Sequence, residues 1–293
     1  MIEKPFPFFV TIAGSDSGGS AGIQADIKTG QSLGVYTASV ITATTAQNPA
    51  GVVDIHPLPT GHITSQLNVI EDYFQPVVFK TGMIPGEECL QQIYLYLEKI
   101  SKKRRVYLVL DPVLIATSGA SLSHLDPRLM LQLGSLATIM TPNRFEAGIL
   151  SGFDVKDENT MKKAAQAIFS ATDRPALVKG GDFNDHNWST DLLLGDNNVH
   201  TWRAPRIQEV NSHGGGCTFA SALASHLSLA LANNPHGDFS LVDIISRARC
   251  YIQAGLKYSR PFVQGGERFI DHFNAARRAS EVKNEIDISM RDR

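Results

Sequence analysis

Short apolar runs alternate with longer amphipathic ones along almost the whole chain, and this alternation limits the possible folds more than anything else in the sequence. Continuous Val/Ile/Leu runs belong to strands covered on both faces. Helix-length segments between them imply crossover connections, and hence a mostly parallel central sheet with helices on both faces. The pattern predicts strands at 8–13, 39–43, 77–80, 106–110, 138–140 and 176–178. It predicts helices at 21–33, 62–73, 87–100, 144–150 and 160–171. Segments 191–194 and 199–202 flank Gly195-Asp196-Asn197-Asn198, a hairpin turn signal. Further helices are expected at 218–232, 241–258 and 269–279. No repeat, low-complexity block or linker interrupts the chain, so residues 1–279 read as a single α/β domain, a three-layer sandwich. Residues 280–293 read as a charged C-terminal tail, expected to fray.

In such sheets ligands gather at the carboxyl ends of the strands. Polar and glycine residues recur at those ends: Gly14 to Gly22, Thr44 to Asn48, Thr81-Gly82-Met83, Asp111-Pro112-Val113 with Thr117-Ser118-Gly119, Thr141-Pro142-Asn143, and Gly180-Gly181-Asp182. A further stretch, Asn211 to Thr218, sets Gly214-Gly215-Gly216 and Cys217 directly before an Ala-rich apolar run. Glycine lets the backbone approach a ligand closely and take positive φ. The helix start then offers free N–H groups and the positive end of its dipole, a site for a phosphate whose charge grows during transfer. Cys217 falls at the mouth of that site, where a lowered thiol pKa is expected.

The first loop lacks the ending of a Walker P-loop and the glycine spacing of a dinucleotide fingerprint. Its backbone, including Gly14, either closes on a small substrate or is a flexible turn. Asp26, on the next helix, is within reach as an acceptor for a substrate hydroxyl, or else is a surface charge. Gln47 offers a donor and an acceptor in one plane, suited to the edge of a nitrogen heterocycle, with loop solvation as the alternative. Met83 either packs on a flat ring or fills core. Asp111 ends an apolar strand, where a carboxylate binds Mg²⁺ through water near substrate phosphates. Asn143 and Glu146, three apart at a helix start, face the same way; Glu146 also suits the first helical turn as a charge alone. With Asp111 they form a hard, oxygen-rich cluster of the magnesium type rather than a zinc site. Lys179 is placed for a nucleotide phosphate. His213 ranks low as a catalyst.

Composition narrows the partners. A net charge of −2 with 43% hydrophobic residues gives no reason to expect nucleic acid or a membrane surface. Cys89, Cys217 and Cys250 form neither a zinc pattern nor a disulfide framework, which points to a reducing compartment. Asp16 interrupts the first apolar run too early for a signal peptide, and no apolar stretch is read as spanning a bilayer, so a cytoplasmic protein is expected.

These motifs together resemble the hydroxymethylpyrimidine/phosphomethylpyrimidine kinases of thiamine biosynthesis, members of the ribokinase-like superfamily. The resemblance runs from about Phe8 to His272 and rests on Thr11 to Gly19 with Ala21 to Asp26, Val40 to Ala43 with Ala46-Gln47-Asn48, Asp111-Pro112-Val113, Thr141-Pro142-Asn143 with Glu146, and Val178 to Gly181. It implies ATP and Mg²⁺ as cosubstrate and cofactor, and a small pyrimidine as the acceptor. It implies substrate contacts from Gly14, Asp26, Gln47 and Met83. Nucleotide contacts fall to Asn143 and Lys179, and metal handling to Asp111 and Glu146. Gly214, Gly215 and Gly216 become the anion hole, and Cys217 a base where related sugar kinases carry an aspartate. The family often pairs, so a homodimer is expected. A pyridoxal kinase and a non-catalytic pyrimidine-binding protein are the rival readings. This chain departs from the family pattern at Gly215, where threonine is usual, at Ala120 and Asp182, and across Gly265-Gly266-Glu267-Arg268.

Overall fold

A computed structural model describes residues 6–114, 125–181, 183, 185, 187–195, 198–234 and 237–292. Thr117-Ser118-Gly119, Ala120, Asp182 and the turn residues Asp196 and Asn197 lie outside the described residues. The chain opens with β1 (Phe8–Asp16), α1 (Gly22–Ser32), β2 (Tyr36–Asn48), β3 (Gly51–Pro57), α2 (Thr60–Phe74), β4 (Val78–Thr81), α3 (Glu87–Ser101) and β5 (Tyr107–Leu110). It continues through α4 (Pro127–Gly134), β6 (Ile139–Met140), α5 (Arg144–Ser151), α6 (Glu158–Thr172), β7 (Ala176–Val178), β8 (Trp188–Leu194), β9 (Asn198–Pro205) and β10 (Val210–Asn211). It closes with α7 (Gly215–Asn233), α8 (Leu241–Lys257), β11 (Arg260–Pro261), β12 (Arg268–Phe269), α9 (Ala275–Arg278), a 3₁₀ segment Ala279–Glu285 and β13 (Asp287–Asp292).

One sheet runs in the order β13-β9-β8-β7-β6-β5-β4-β1-β2-β3. Its centre, β7 to β2, is parallel; β3 and the three strands beyond β7 pair antiparallel. Side chains alternate across it with period two. Val10, Ile12, Leu108 and Leu110 face one core with α2 to α6, while Phe9, Tyr107 and Val109 face the other with α7 and α8. Both faces are apolar, which is why the strands read as unbroken apolar runs. The fold matches the expected ribokinase-like α/β sandwich.

Three local expectations are corrected, and two elements come as additions. Residues 269–279 do not form one helix. Phe269 pairs in a small sheet with β10 and β11, and the Asp271 carboxylate accepts from the Phe273 and Asn274 N–H groups, a local turn that competes with helix. The charged tail does not fray: β13 pairs antiparallel with β9, and buried Val282 and Ile286 anchor its approach. Backbone pairing at a sheet edge tolerates charged side chains. β3 and α4 were not anticipated, although Asp126 and Pro127 are an N-cap and N1 signal. Finally, α7 is long and apolar enough to cross a bilayer by length and composition alone. It is instead a core helix, with most of its first three turns buried against the sheet and α1.

Candidate active site

The strand order reverses between β1 and β4: the chain proceeds from β1 to β2 on one side, then from β4 to β7 on the other. An open α/β sheet leaves a crevice outside the carboxyl ends at such a switch point. Two adjoining cavities occupy it, one of about 100 Å³ and one of about 730 Å³. Gly14, Gln47, Met83, Asp111, Glu146, Gly214 and Cys217 line the small one, and Gly215 lines the large one. Asn143, Lys179 and Gly216 line both, so the cavities meet there. The structure thus gathers every predicted site residue except Asp26.

The N-terminus of α7 forms the wall between the cavities. Gly214 holds φ at +82° and no side chain caps the helix. A Cβ on Gly214 would stand 1.8 Å from the Ser20 carbonyl oxygen, so only glycine lets this turn lie against the first loop. The loop itself is organised rather than loose. Asp16 Oδ1 accepts from the Gly18 N–H at 2.8 Å, and Oδ2 accepts from Ser20 and Ala21 at 2.9 and 2.7 Å.

Cys217 stands half-buried in the first turn of α7. The expectation of a lowered thiol pKa is corrected: burial pushes it up to about 11, and the Asp26 and Asp111 charges add to the rise. The Lys80 ammonium and the Gly22 N–H act against that rise without overcoming it. Burial outweighs the neighbouring ammonium and amide here.

Asp26 is corrected as well. It is fully buried and lines neither cavity. Its oxygens accept from Lys80 Nζ at 2.8 and 2.9 Å, from Thr11 Oγ1 at 2.5 Å and from Ser221 Oγ at 2.5 Å. Every contact is internal, so it is a counter-ion in the core rather than a surface charge or an exposed acceptor.

At the junction, Asp111 Oδ1 accepts from Thr141 Oγ1 at 3.0 Å and from Lys179 Nζ at 2.8 Å. Asp111 Oδ2 turns toward Gly216, 3.8 Å from where a Cβ would stand, with Lys179 Nζ at 3.3 Å from the same point. Burial alone would push Lys179 toward neutrality, but Asp111 and Glu146 hold its pKa above the usual lysine value. Glu146 closes a capping box with Asn143: Oε2 accepts from the Asn143 N–H at 2.8 Å, and Asn143 Oδ1 accepts from the Phe145 and Glu146 N–H groups at 2.9 Å. Burial raises the Glu146 carboxyl to about 8; Lys179 lowers it and Asp111 raises it further. Two crowded carboxylates beside one ammonium are an environment a hard cation would relieve. Among the described residues no group of three or more His, Cys, Asp or Glu side chains converges as a metal cage.

In the small cavity, Gln47 Nε2 lies 2.8 Å from His213 Nε2, which fits a neutral imidazole accepting from the amide. Burial lowers the His213 pKa, against a smaller upward pull from Asp16. Met83 is buried with its sulfur 3.1 Å from where a Cβ on Gly14 would stand. Sequence reasoning missed two residues: Asp16, which builds the first loop, and Lys80; His213, ranked low as a catalyst, lies against Gln47. The signals were an aspartate inside a Gly/Ser loop and a lysine within an otherwise apolar strand.

A sequence model of the family described as phosphomethylpyrimidine kinase matches residues 16–267. The chain is 40% identical over 267 residues to the thiamine biosynthesis bifunctional protein ThiED of Geobacter sulfurreducens, covering 90% of this chain and 52% of that protein. It therefore spans about half the length of the bifunctional relatives it matches. It is 35% identical over 269 residues to the hydroxymethylpyrimidine/phosphomethylpyrimidine kinase of Rhizobium meliloti, covering 90% of this chain and 96% of that one. Among solved structures, the pyridoxal kinase of Staphylococcus aureus in complex with AMP-PCP and pyridoxal superposes with a TM-score of 0.81, at 29% identity, covering 99% of this chain and 100% of that one. The match to most of the chain, on a fold whose strand ends assemble these residues, places the chain in the phosphomethylpyrimidine kinase family.

Proposed function

We propose that the protein transfers the γ-phosphoryl group of ATP to the hydroxyl of hydroxymethylpyrimidine, and then phosphorylates the resulting monophosphate, in thiamine biosynthesis. The observation that carries this reading is the pair of cavities, one suited to a single ring and one several times larger, joined at Asn143, Lys179 and Gly216. A nucleotide in the large cavity would bring its terminal phosphate to the junction, beneath the uncapped amides of α7. A pyrimidine in the small cavity would meet the planar amide of Gln47 and the sulfur of Met83. Lys179 would neutralise charge spreading over the phosphoryl oxygens. Cys217, as thiolate, would take the proton of the attacking hydroxyl. Asp111 and Glu146 would hold Mg²⁺, largely through water, and the ion would draw charge from the phosphates. The proposed setting is the cytoplasm, with the chain acting as a homodimer.

The fold similarity to pyridoxal kinase favours one second reading, phosphorylation of pyridoxal. ADP release measured with hydroxymethylpyrimidine, its monophosphate and pyridoxal decides between them. Turnover highest with the two pyrimidines supports the proposal, and highest turnover with pyridoxal supports the second reading. Binding of the pyrimidine without ADP release would refute both, leaving a non-catalytic binder.

A further inference from the structure

Lys80 and Asp26 line neither cavity, yet Gly22, on the helix that carries Asp26, and Met83, just after the strand that carries Lys80, line the small one. Both are completely buried. Lys80 sits in β4 beside Thr11 of β1, and its ammonium reaches to 3.1 Å from where a Cβ on Gly82 would stand. The next residue, Met83, lines the small cavity. Asp26 also accepts from Ser221, one helical turn after Cys217 on α7, and residues four apart share a helix face. The two hydrogen bonds from Lys80 to Asp26 use two of its three N–H groups.

Removing an ion pair from water costs several kcal/mol, and an apolar pair of equal volume would often hold a fold as well. Stability alone therefore does not account for a charged pair at this depth. The reactive group nearest along the same helix face is Cys217. We propose that Lys80, held by Asp26, is a positioning residue for Cys217, a buried ammonium that stabilises negative charge as it forms on the sulfur and on the substrate oxygen beside it. The inference rests on reading Cys217 as the base.

Burial is the larger influence on both groups. Against it, the sulfur helps hold Lys80 protonated, and Lys80 draws the thiol downward. Asp26 opposes this, but its charge is shared among four donated hydrogen bonds. The proton balance is simple. The sulfur first loses its proton to solvent, and the thiolate then takes the hydroxyl proton as the new O–P bond forms and the bond from the γ-phosphorus to the ADP oxygen breaks. Lys80 keeps its protons throughout.

The test follows alkylation of Cys217 by iodoacetamide against pH, read from the mass of the peptide that carries it. The full chain is compared with Lys80→Met and with the double variant Lys80→Met/Asp26→Asn, which removes both charges and so avoids stranding Asp26 unpaired. The expected result is a profile displaced to higher pH, by about one unit or more in Lys80→Met and by less in the double variant, where loss of the Asp26 charge pulls the thiol the other way; kcat falls about tenfold in Lys80→Met with KM for ATP unchanged. A folded Lys80→Met whose alkylation profile overlays the original overturns the proposal, as does a folded double variant whose profile is not displaced upward. If the profile moves while Cys217→Ala retains full turnover, Lys80 is still shown to tune the sulfur, and the assignment of the base is what fails.

Discussion

Two helix N-termini meet where the cavities join, and they are built in opposite ways. α5 satisfies its own first amides: Asn143 and Glu146 close a capping box, and the chain needs nothing from outside. α7 begins with glycines and has no side-chain cap; the Gly215 N–H donates to the Ser212 carbonyl oxygen at 2.8 Å, and the rest of its first turn lines the junction with no side-chain acceptor. One end therefore fixes structure and the other is open to an anion. The contrast also sorts the acidic residues. Glu146 spends an oxygen on the cap, whereas Asp111 keeps an oxygen turned toward the glycines.

The largest way to break this contrast is Gly214→Ala. The new Cβ meets a backbone oxygen at 1.8 Å in a left-handed conformation, and neither can yield cheaply. A loss of at least ~3 kcal/mol of stability is expected, with turnover abolished, from chemical denaturation and ADP release. An intact, active variant would mean that α7 does not press against the first loop. Next in size, Cys217→Ala should lower kcat by ~10²-fold or more while leaving substrate affinity nearly unchanged. Because burial lifts this thiol, turnover of the unmodified protein should climb as pH rises above 7, and the variant should lose that slope. A variant with full turnover would remove Cys217 from the chemistry.

A smaller effect concerns what holds the open end in place. His272 Nε2 lies 2.9 Å from Thr218 Oγ1, in the first turn of α7. Burial, helped by Lys28, depresses its pKa to about 4, with Asp271 pulling weakly the other way. The neutral form is favoured in the fold. This contribution is therefore full above pH 6.5 and is lost as pH falls toward 4. A decline on the order of 2 kcal/mol between pH 7 and 4.5 is expected in thermal unfolding, and His272→Gln should flatten it. An unchanged slope in that variant would show that other groups govern the acid limb.

Much of this was legible in the sequence, for identifiable reasons. Unbroken apolar runs reported strands buried on both faces, and the polar loops at their ends reported the rim where Gln47, Asp111, Asn143 and Lys179 converge. What stayed hidden depended on depth. Asp26 sits on an amphipathic helix, and only tertiary packing decides that its carboxylate turns inward to Lys80. The direction of the Cys217 shift hangs on how burial weighs against the Lys80 ammonium, which no local pattern settles. The charged tail looked solvated because edge pairing uses the backbone and leaves no apolar signature.

Gly215→Thr is the finest probe of the open helix end, because it changes chemistry there without blocking it. Unlike Gly214, Gly215 does not hold a positive φ, and a Cβ there meets only Ile270 Cδ1, at 3.9 Å. Threonine therefore fits, and replacing a helical glycine should raise stability by a few tenths of a kcal/mol. If the added hydroxyl reaches a transferring phosphate, one hydrogen bond of about 1 kcal/mol gives a severalfold rise in kcat. Faster turnover would show that the amides of α7 bind the anion incompletely and gain from a side-chain donor. Slower turnover alongside higher stability would show instead that the large cavity needs the space glycine leaves, and that the bare helix end is the better anion site.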